Sequence, residues 1–307
     1  MKIIKAVVGI LRDDSGQILI AKRQDHQFMA GFWELPGGKV ESNESEQQAI
    51  IRELREELGI VVTDLSIHQT MVYHYTDRIV ELSIYTINQY QHIPKGIEGQ
   101  EIAWVDVNQL HKHKLLPTMK AFIDSITLPN KYWITPSSNH QTDDWMAKFN
   151  EKMTQDIELI QLRSKIELDN VFISELHEKC KHNNVKLLLN TVDKSFNESY
   201  CDGWHLTTGE MLTLNKRPCA KDKLLGASTH NLNEALQAQE LGADFVVISP
   251  VQATQTHPDT APLGWDAAQE VVNKLNIPVY FLGGMRLDDL DKALILGAQG
   301  IAGVSAF

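Results

Sequence analysis

Cysteine is scarce in this chain. Cys180, Cys201 and Cys219 are the only three in 307 residues, odd in number and with no close pair. That excludes a disulfide scaffold and suits reduced thiols in a cytoplasmic protein. Long apolar runs are missing as well, and no stretch approaches the ~18 residues a spanning helix needs. The short apolar run in "MKIIKAVVGILRDD" lacks the small-residue site of a cleaved leader. No membrane partner is expected. Basic residues are outnumbered, 29 Lys and Arg against 40 Asp and Glu, for a formal charge of -11. Binding a nucleic-acid polymer draws on clustered cations, so none is an expected partner. A nucleotide remains possible where a divalent cation bridges two negative partners. Short repeats and low-complexity segments are also lacking.

What is present is ordinary globular composition, 43% hydrophobic and 22% charged, at a length that suits two domains. The first half opens with "IKAVVGILRDDSGQILIAKR", two β-rich runs around "DDSG" that read as a hairpin. "GFWELPGG" leads into a helix. The strands "VVTDLSIHQTMVYHY", "RIVELSIYTINQY" and "EIAWVDV" follow, and the helix "PTMKAFIDSI" closes the half. Strands mixed with two helices predict an α+β sandwich over residues 1–128. "HKHK", His111 to Lys114, reads as a solvated loop.

From residue 129 the grammar changes. Eight apolar runs, from "YWITP" to "GIAGVSA", alternate with amphipathic stretches such as "LNEALQAQELG". That alternation predicts a (β/α)8 barrel over 129–307. At roughly 177 residues from Lys131, it is shorter than the ~250 typical of the fold. "GVSAF" follows the eighth strand directly, so the usual last helix is expected to be lacking.

The densest chemistry lies in "GGKVESNESEQQAIIRELREELGI", residues 37–60. A helix there puts Glu53, Glu56 and Glu57 on one face, where like charges three and four residues apart repel. Ala49, Ile50, Leu54 and Leu58 give it a buried side that fixes its orientation. A rigid carboxylate cluster beside two glycines is what a hard divalent cation requires, and the cation offsets the repulsion.

Gly38, Glu44, Arg52, Glu53, Leu54, Glu56, Glu57, Gly59 and Ile60 match G-x5-E-x7-R-E-U-x-E-E-x-G-U, U being aliphatic. The segment thereby resembles the Nudix box. The resemblance implies a hydrolase of nucleoside diphosphate linkages that depends on Mg²⁺ or Mn²⁺. Under it, Glu53, Glu56 and Glu57 hold the metal with the Gly37 carbonyl, and Arg52 orients the carboxylates. Glu44, on the far side of the helix, is structural. "AVVGILRDDSGQILIAKR", "MAGFWELPGGK", "YTDRIVEL" and "GIEGQEIAWV" are similar to the MutT subgroup, which converts oxidised purine nucleoside triphosphates such as 8-oxo-dGTP to monophosphates and pyrophosphate. That likeness implies a phosphate contact for Arg23, a place beside the nucleotide for Arg78 and Gly38, and a metal-ligand or water-activating role for Glu98. Met119 falls where the MutT pattern has a purine-reading asparagine, and methionine makes no such hydrogen bonds.

In the second half "IQLRSK", "GWHL", "GASTH", "FLGGM" and "GVSA" resemble thiamine phosphate synthase and the related thiazole tautomerase. The resemblance implies that Gln161, Arg163 and Lys165 grip a pyrophosphate. It implies that Gly283, Gly284 and Gly303 to Ser305 offer backbone N–H groups to a thiamine-related phosphate. The departures fall on the chemistry: Asn190-Thr191 replaces Asn-Asp, Glu210 is the substitute for a metal carboxylate, and His257 replaces a lysine. Synthase activity is therefore expected to be impaired. His230 matches the tautomerase's acid/base histidine. Hydrolysis of a thiamine-related pyrophosphate, or a sensor without catalysis, are the alternatives.

Overall fold

The computed structural model describes residues 1–137, 142–164, 168–190, 198–254 and 261–307. The chain forms two compact units, Met1–Ile123 and Asp124–Phe307.

The first unit carries strands β1 (Lys2–Ile10), β2 (Ile18–Lys22), β3 (Trp33–Glu34) and β4 (Gly37–Lys39), then helix α1 (Glu46–Leu58). Strands β5 (Val61–His74), β6 (Arg78–Gln91) and β7 (Ile102–Val105) follow. Two sheets result: a mixed one ordered β4-β1-β6-β5, with β1 parallel to β6, and an antiparallel one ordered β3-β2-β7. The expected hairpin forms at its turn: Asp13 N–H closes on the Gln17 carbonyl and Leu19 N–H on the Leu11 carbonyl, both at 3.1 Å, with Arg12 and Ile18 bridged antiparallel. Beyond these rungs β1 and β2 diverge into different sheets, β1 pairing with β4 and β6.

Helix α1 begins with a capping box. Ser45 accepts from Gln48 N–H and the Gln48 side chain returns to the Ser45 backbone. It ends at Gly59, in the left-handed conformation (φ 67°), whose N–H reaches the Arg55 carbonyl. Ala49, Ile50, Leu54 and Leu58 are wholly buried against Val7, Leu19 and Ile87. This burial fixes which way the glutamate face points.

Helix α2 spans Pro117–Thr127. Beyond it, β8 (Lys131–Ile134), β9 (Leu159–Leu162), β10 (Lys186–Leu189), β11 (Gly203–Leu206), β12 (Leu224–Thr229), β13 (Phe245–Ile248), β14 (Val279–Phe281) and β15 (Gly300–Gly303) pair in parallel and close into a barrel. Helices α3 (Asp143–Lys152), α4 (Asn170–His182), α5 (Thr208–Thr213), α6 (Leu232–Leu241), α7 (Trp265–Lys274) and α8 (Leu290–Ile295) alternate with them. No helix lies between β15 and Phe307. Inside the barrel the rings of Tyr132, Phe245 and Tyr280 meet with centroids 5.4–5.5 Å apart. Gly226 leaves the room they need, since a Cβ there would lie 2.5 Å from Phe245.

Among the described residues no helix is long and apolar enough to cross a membrane.

Candidate active site

A cavity of about 970 Å³ opens in the first unit. Ile4, Ala6 and Val8 of β1 and Val80 and Leu82 of β6 form its floor, alternate residues on one face of the mixed sheet. Gly37, Gly38, Glu53, Glu57 and Glu98 line one side, and Arg23, Glu34, Tyr75, Arg78 and Thr118 also face it.

The glycine pair makes the close packing possible. Gly37 has φ 144°, and a Cβ there would lie 2.2 Å from the Val7 carbonyl oxygen. A Cβ on Gly38 would lie 2.3 Å from Glu53 Oε1. Gly37 N–H donates to Glu57 Oε2 at 3.0 Å.

Arg52 organises the outer carboxylates. Its Nη2 and Nε donate to Glu44 at 2.7 and 3.1 Å, and Nη1 donates to Glu53 at 2.9 Å and Glu56 at 3.1 Å. Those hydrogen bonds hold the Glu44 carboxyl below its usual range, with help from Glu41 N–H. Glu44 precedes α1 rather than lying on it, so its role as an anchor comes from this fork and not from a helical angle. Glu53 shifts the other way, because burial outweighs the Arg52 bond. Glu57 is pushed up to about 8, first by burial and then by the charges of Glu34, Glu53 and Glu98. Its one compensating contact there is the Gly37 N–H.

A buried carboxylate crowded by other carboxylates suits a hard divalent cation, and the donors are all oxygen. The cage is not preassembled: no cluster of three or more acids is poised for a metal among the described residues. Glu53 and Glu56 are both bonded to Arg52 Nη1. Glu56 stays 55% exposed and does not line the cavity.

Glu98 is held by its loop. Ile97 N–H and Gln100 Nε2 both donate to the Glu57 carbonyl at 2.9 Å, and Gln100 Oε1 accepts Glu98 N–H. No sequence pattern announced this tie between α1 and the loop. Glu34 was also missed. It pairs with Arg23 Nη1 at 2.5 Å, while Arg23 Nε donates to the Phe28 carbonyl. Arg23 therefore lines the cavity as a clamp on residues 24–32 rather than as a free cation. Arg78 forks onto Asp77 and lies over the Phe28 ring, 4.7 Å from its centroid. Met119 turns into the core, 3% exposed, and its neighbour Thr118 faces the cavity instead.

In the barrel, Lys165, Thr191 and His257 lie outside the described residues. Gln161 is 3% exposed and donates to Tyr132 Oη at 3.2 Å, so it belongs to a buried network instead of an open grip. Tyr132 Oη lies 3.0 Å from His205 Nδ1, and His205 Nε2 lies 2.9 Å from Ser228 Oγ. Burial holds His205 down at about 3, so the ring is neutral. With Gln161 donating to the phenol, a tautomer in which Tyr132 donates to Nδ1 and Nε2–H donates to Ser228 satisfies every member of the network. Asn190 Nδ2 donates to the His205 carbonyl at 3.0 Å. Arg163 N–H donates to Thr135 Oγ1 at 2.9 Å.

His230 is half exposed, its Nδ1 3.1 Å from Glu234 and 3.2 Å from Thr208 Oγ1. The Glu210 carboxylate is taken up by the cap of α5, accepting from Thr207 N–H and hydroxyl. Gly283 and Gly284 have positive φ and pack on Pro250 and Ala253. Gly303 ends β15 against Ala306. Ser305 borders a separate cavity of about 460 Å³ with Trp133 and Lys152.

Comparison with known proteins agrees with this division. A family model described as NUDIX domain matches residues 7–125, and one described as Thiamine monophosphate synthase matches residues 131–307. The 8-oxo-dGTP diphosphatase of Haemophilus influenzae is 37% identical over 116 residues, 38% of this chain and 85% of that protein. The 8-oxo-dGTP diphosphatase of Escherichia coli is 33% identical over 40% of this chain and 95% of its own length. A putative thiamine-phosphate synthase 2 of Aquifex aeolicus is 30% identical over 59% of this chain and 98% of its own length. The chain thus belongs to two families in succession, the Nudix pyrophosphohydrolases through its first unit and the thiamine monophosphate synthase family through its second.

Proposed function

We propose that the first domain, residues 1–128, hydrolyses nucleoside triphosphates in a metal-dependent reaction, with oxidised purines such as 8-oxo-dGTP preferred and 8-oxo-dGMP and pyrophosphate as products. The observation that carries this is the meeting of Glu53, Glu57 and Glu98 with Gly37 and Gly38 in one cavity. The names of the two diphosphatase relatives support the choice of substrate. Such a reaction would clear damaged nucleotides from the cytoplasmic pool before they enter DNA.

Glu53, Glu56, Glu57, Glu98 and the Gly37 carbonyl would hold Mg²⁺ or Mn²⁺. When bound, the ion neutralises polyphosphate charge and makes a coordinated water more acidic. Arg52 keeps Glu53 and Glu56 oriented through its fork. Glu98 accepts the proton of the attacking water. Gly38 leaves space beside Glu53 for a phosphate, while Arg23 and Arg78 shape the loops around the nucleotide. The apolar floor of Ala6, Val8 and Leu82 limits bulk water and strengthens each charge interaction.

For residues 129–307 we propose binding of a thiamine-related phosphate with weak or absent synthase chemistry. Glu210 is spent on a helix cap, which leaves it unsuited to a metal. Arg163, Asn190, His230, Gly283, Gly284, Gly303 and Ser305 are the described candidates for its contacts.

Steady-state turnover of 8-oxo-dGTP, dGTP and thiamine diphosphate by the full chain, with Mg²⁺ and with Mn²⁺, tests the proposal. Preference for thiamine diphosphate would favour the rival in which the first domain serves thiamine metabolism. A sensor would keep ligand binding but show no turnover that Glu53→Gln and Glu57→Gln could abolish.

A further inference from the structure

The cavity has a second end. Strands β4, β1, β6 and β5 lie side by side, so its floor crosses three strand spacings from Gly37 and Gly38 to the β5–β6 turn. At ~4.8 Å each, the sideways component alone is ~14 Å, enough for a nucleoside beyond its phosphates. Tyr75 stands at that end, where its N–H closes the turn on the Arg78 carbonyl at 2.9 Å. The first turn of α2 covers it, because Leu116 N–H is fixed to the Trp33 carbonyl at 2.8 Å. Thr118 then faces the cavity and its hydroxyl is hydrogen-bonded to the Tyr75 phenol. Met119, next in line, is in the core.

Two hydroxyls bonded to each other hold two protons and spend one on the shared bond. One donor remains, with an acceptor on the partner oxygen. Burial pushes the Tyr75 phenol above its usual range, so it keeps its proton near neutral pH. The pair therefore offers one donor and one acceptor side by side. A purine oxidised at C8 presents the complement along its Hoogsteen edge, an acceptor at O6 and a donor at N7–H. Unoxidised guanine presents two acceptors, O6 and N7. One of them would face a lone pair.

Resting on the proposed hydrolase reading, we propose that Tyr75 and Thr118 are the specificity-determining residues, and that their coupled hydroxyls read the C8-oxidised purine edge in a chain without a carboxamide at position 119. One unmatched acceptor sets a preference for the oxidised base of roughly 10- to 100-fold.

The test compares kcat/KM for 8-oxo-dGTP and dGTP in the full chain and in Tyr75→Phe, Thr118→Val and Thr118→Ser. The oxidised-to-unoxidised ratio is expected to fall toward unity in Tyr75→Phe and Thr118→Val, chiefly through loss on 8-oxo-dGTP. Thr118→Ser, which keeps the hydroxyl, is expected to retain it. Turnover by the unaltered chain with no preference overturns this proposal and the choice of oxidised purines, leaving triphosphate hydrolysis standing; a ratio unchanged in both Tyr75→Phe and Thr118→Val overturns this proposal alone. Failure of the unaltered chain to turn over either triphosphate overturns both.

Discussion

Gly37 gives its backbone N–H to the carboxylate of Glu57, twenty residues on, at 3.0 Å. This single bond ties the short strand β4 to the acidic face of α1. It is feasible only because position 37 carries no side chain, since a Cβ would drive into the Val7 carbonyl. The glycines and the glutamates of residues 37–60 are therefore one spatial unit, and substitutions within it should separate folding from chemistry.

Gly38→Ala should leave the fold nearly unchanged and cut kcat by roughly 100-fold, because its methyl displaces Glu53 by an ångström or so. Gly37→Ala should instead lower Tm, the added carbon meeting backbone that cannot move aside. Thermal melts paired with initial rates on 8-oxo-dGTP separate the two outcomes. A Gly38→Ala enzyme of full activity would contradict the packing described.

Glu57→Gln should lose more than about 100-fold in turnover and bind Mn²⁺ more weakly by calorimetry. In chelator, however, its Tm should match or exceed the parent's. The substitution removes a carboxyl whose ionisation is opposed in the folded state by burial and by Glu34, Glu53 and Glu98. Stripping the parent with chelator should abolish turnover, and added Mg²⁺ or Mn²⁺ should restore it.

Arg52→Lys should be both less stable and slower. A lysine carries a point charge and cannot fork onto Glu44 while also reaching Glu53 and Glu56. Loss of the fork should lower the midpoint of urea unfolding. Stability equal to the parent's would show that the fork contributes nothing.

Barrel stability should fall in acid through His205. Its folded-state value lies near 3, below the ordinary 6.5, because burial disfavours the charged ring. The unfolded chain therefore binds the extra proton between pH 6.5 and about 3. Stability falls as pH drops through that window and is complete above it. At pH 4.5 the loss should be on the order of 2 kcal/mol. Urea titrations at pH 4.5 and 7 should show a smaller difference for His205→Gln than for the parent.

Much of the fold is legible in the chain because local chemistry and tertiary outcome agree. The apolar stripe of Ala49, Ile50, Leu54 and Leu58, with Ser45 and Gly59 at its ends, specifies α1 almost to the residue. The eight apolar strand runs specify the barrel because parallel strands buried on both faces leave continuous apolar stretches. The hairpin at "DDSG" is legible only near its turn. The first rungs form as expected, while further along the strands long-range pairing chooses the partners, and β6 and β4 take the edges of β1.

Sequence alone determined which residues form the acidic helix face and where one family's grammar gives way to the other's. Those follow from spacing, which is a property of the chain. Tertiary structure alone decided that Arg23 clamps a loop through Glu34, that Glu98 hangs from the Glu57 carbonyl through Gln100, and that Thr118 faces the cavity instead of Met119. Each depends on how far one element is rotated or shifted against another. Close packing of side chains fixes those rotations, and no periodicity in the chain encodes them.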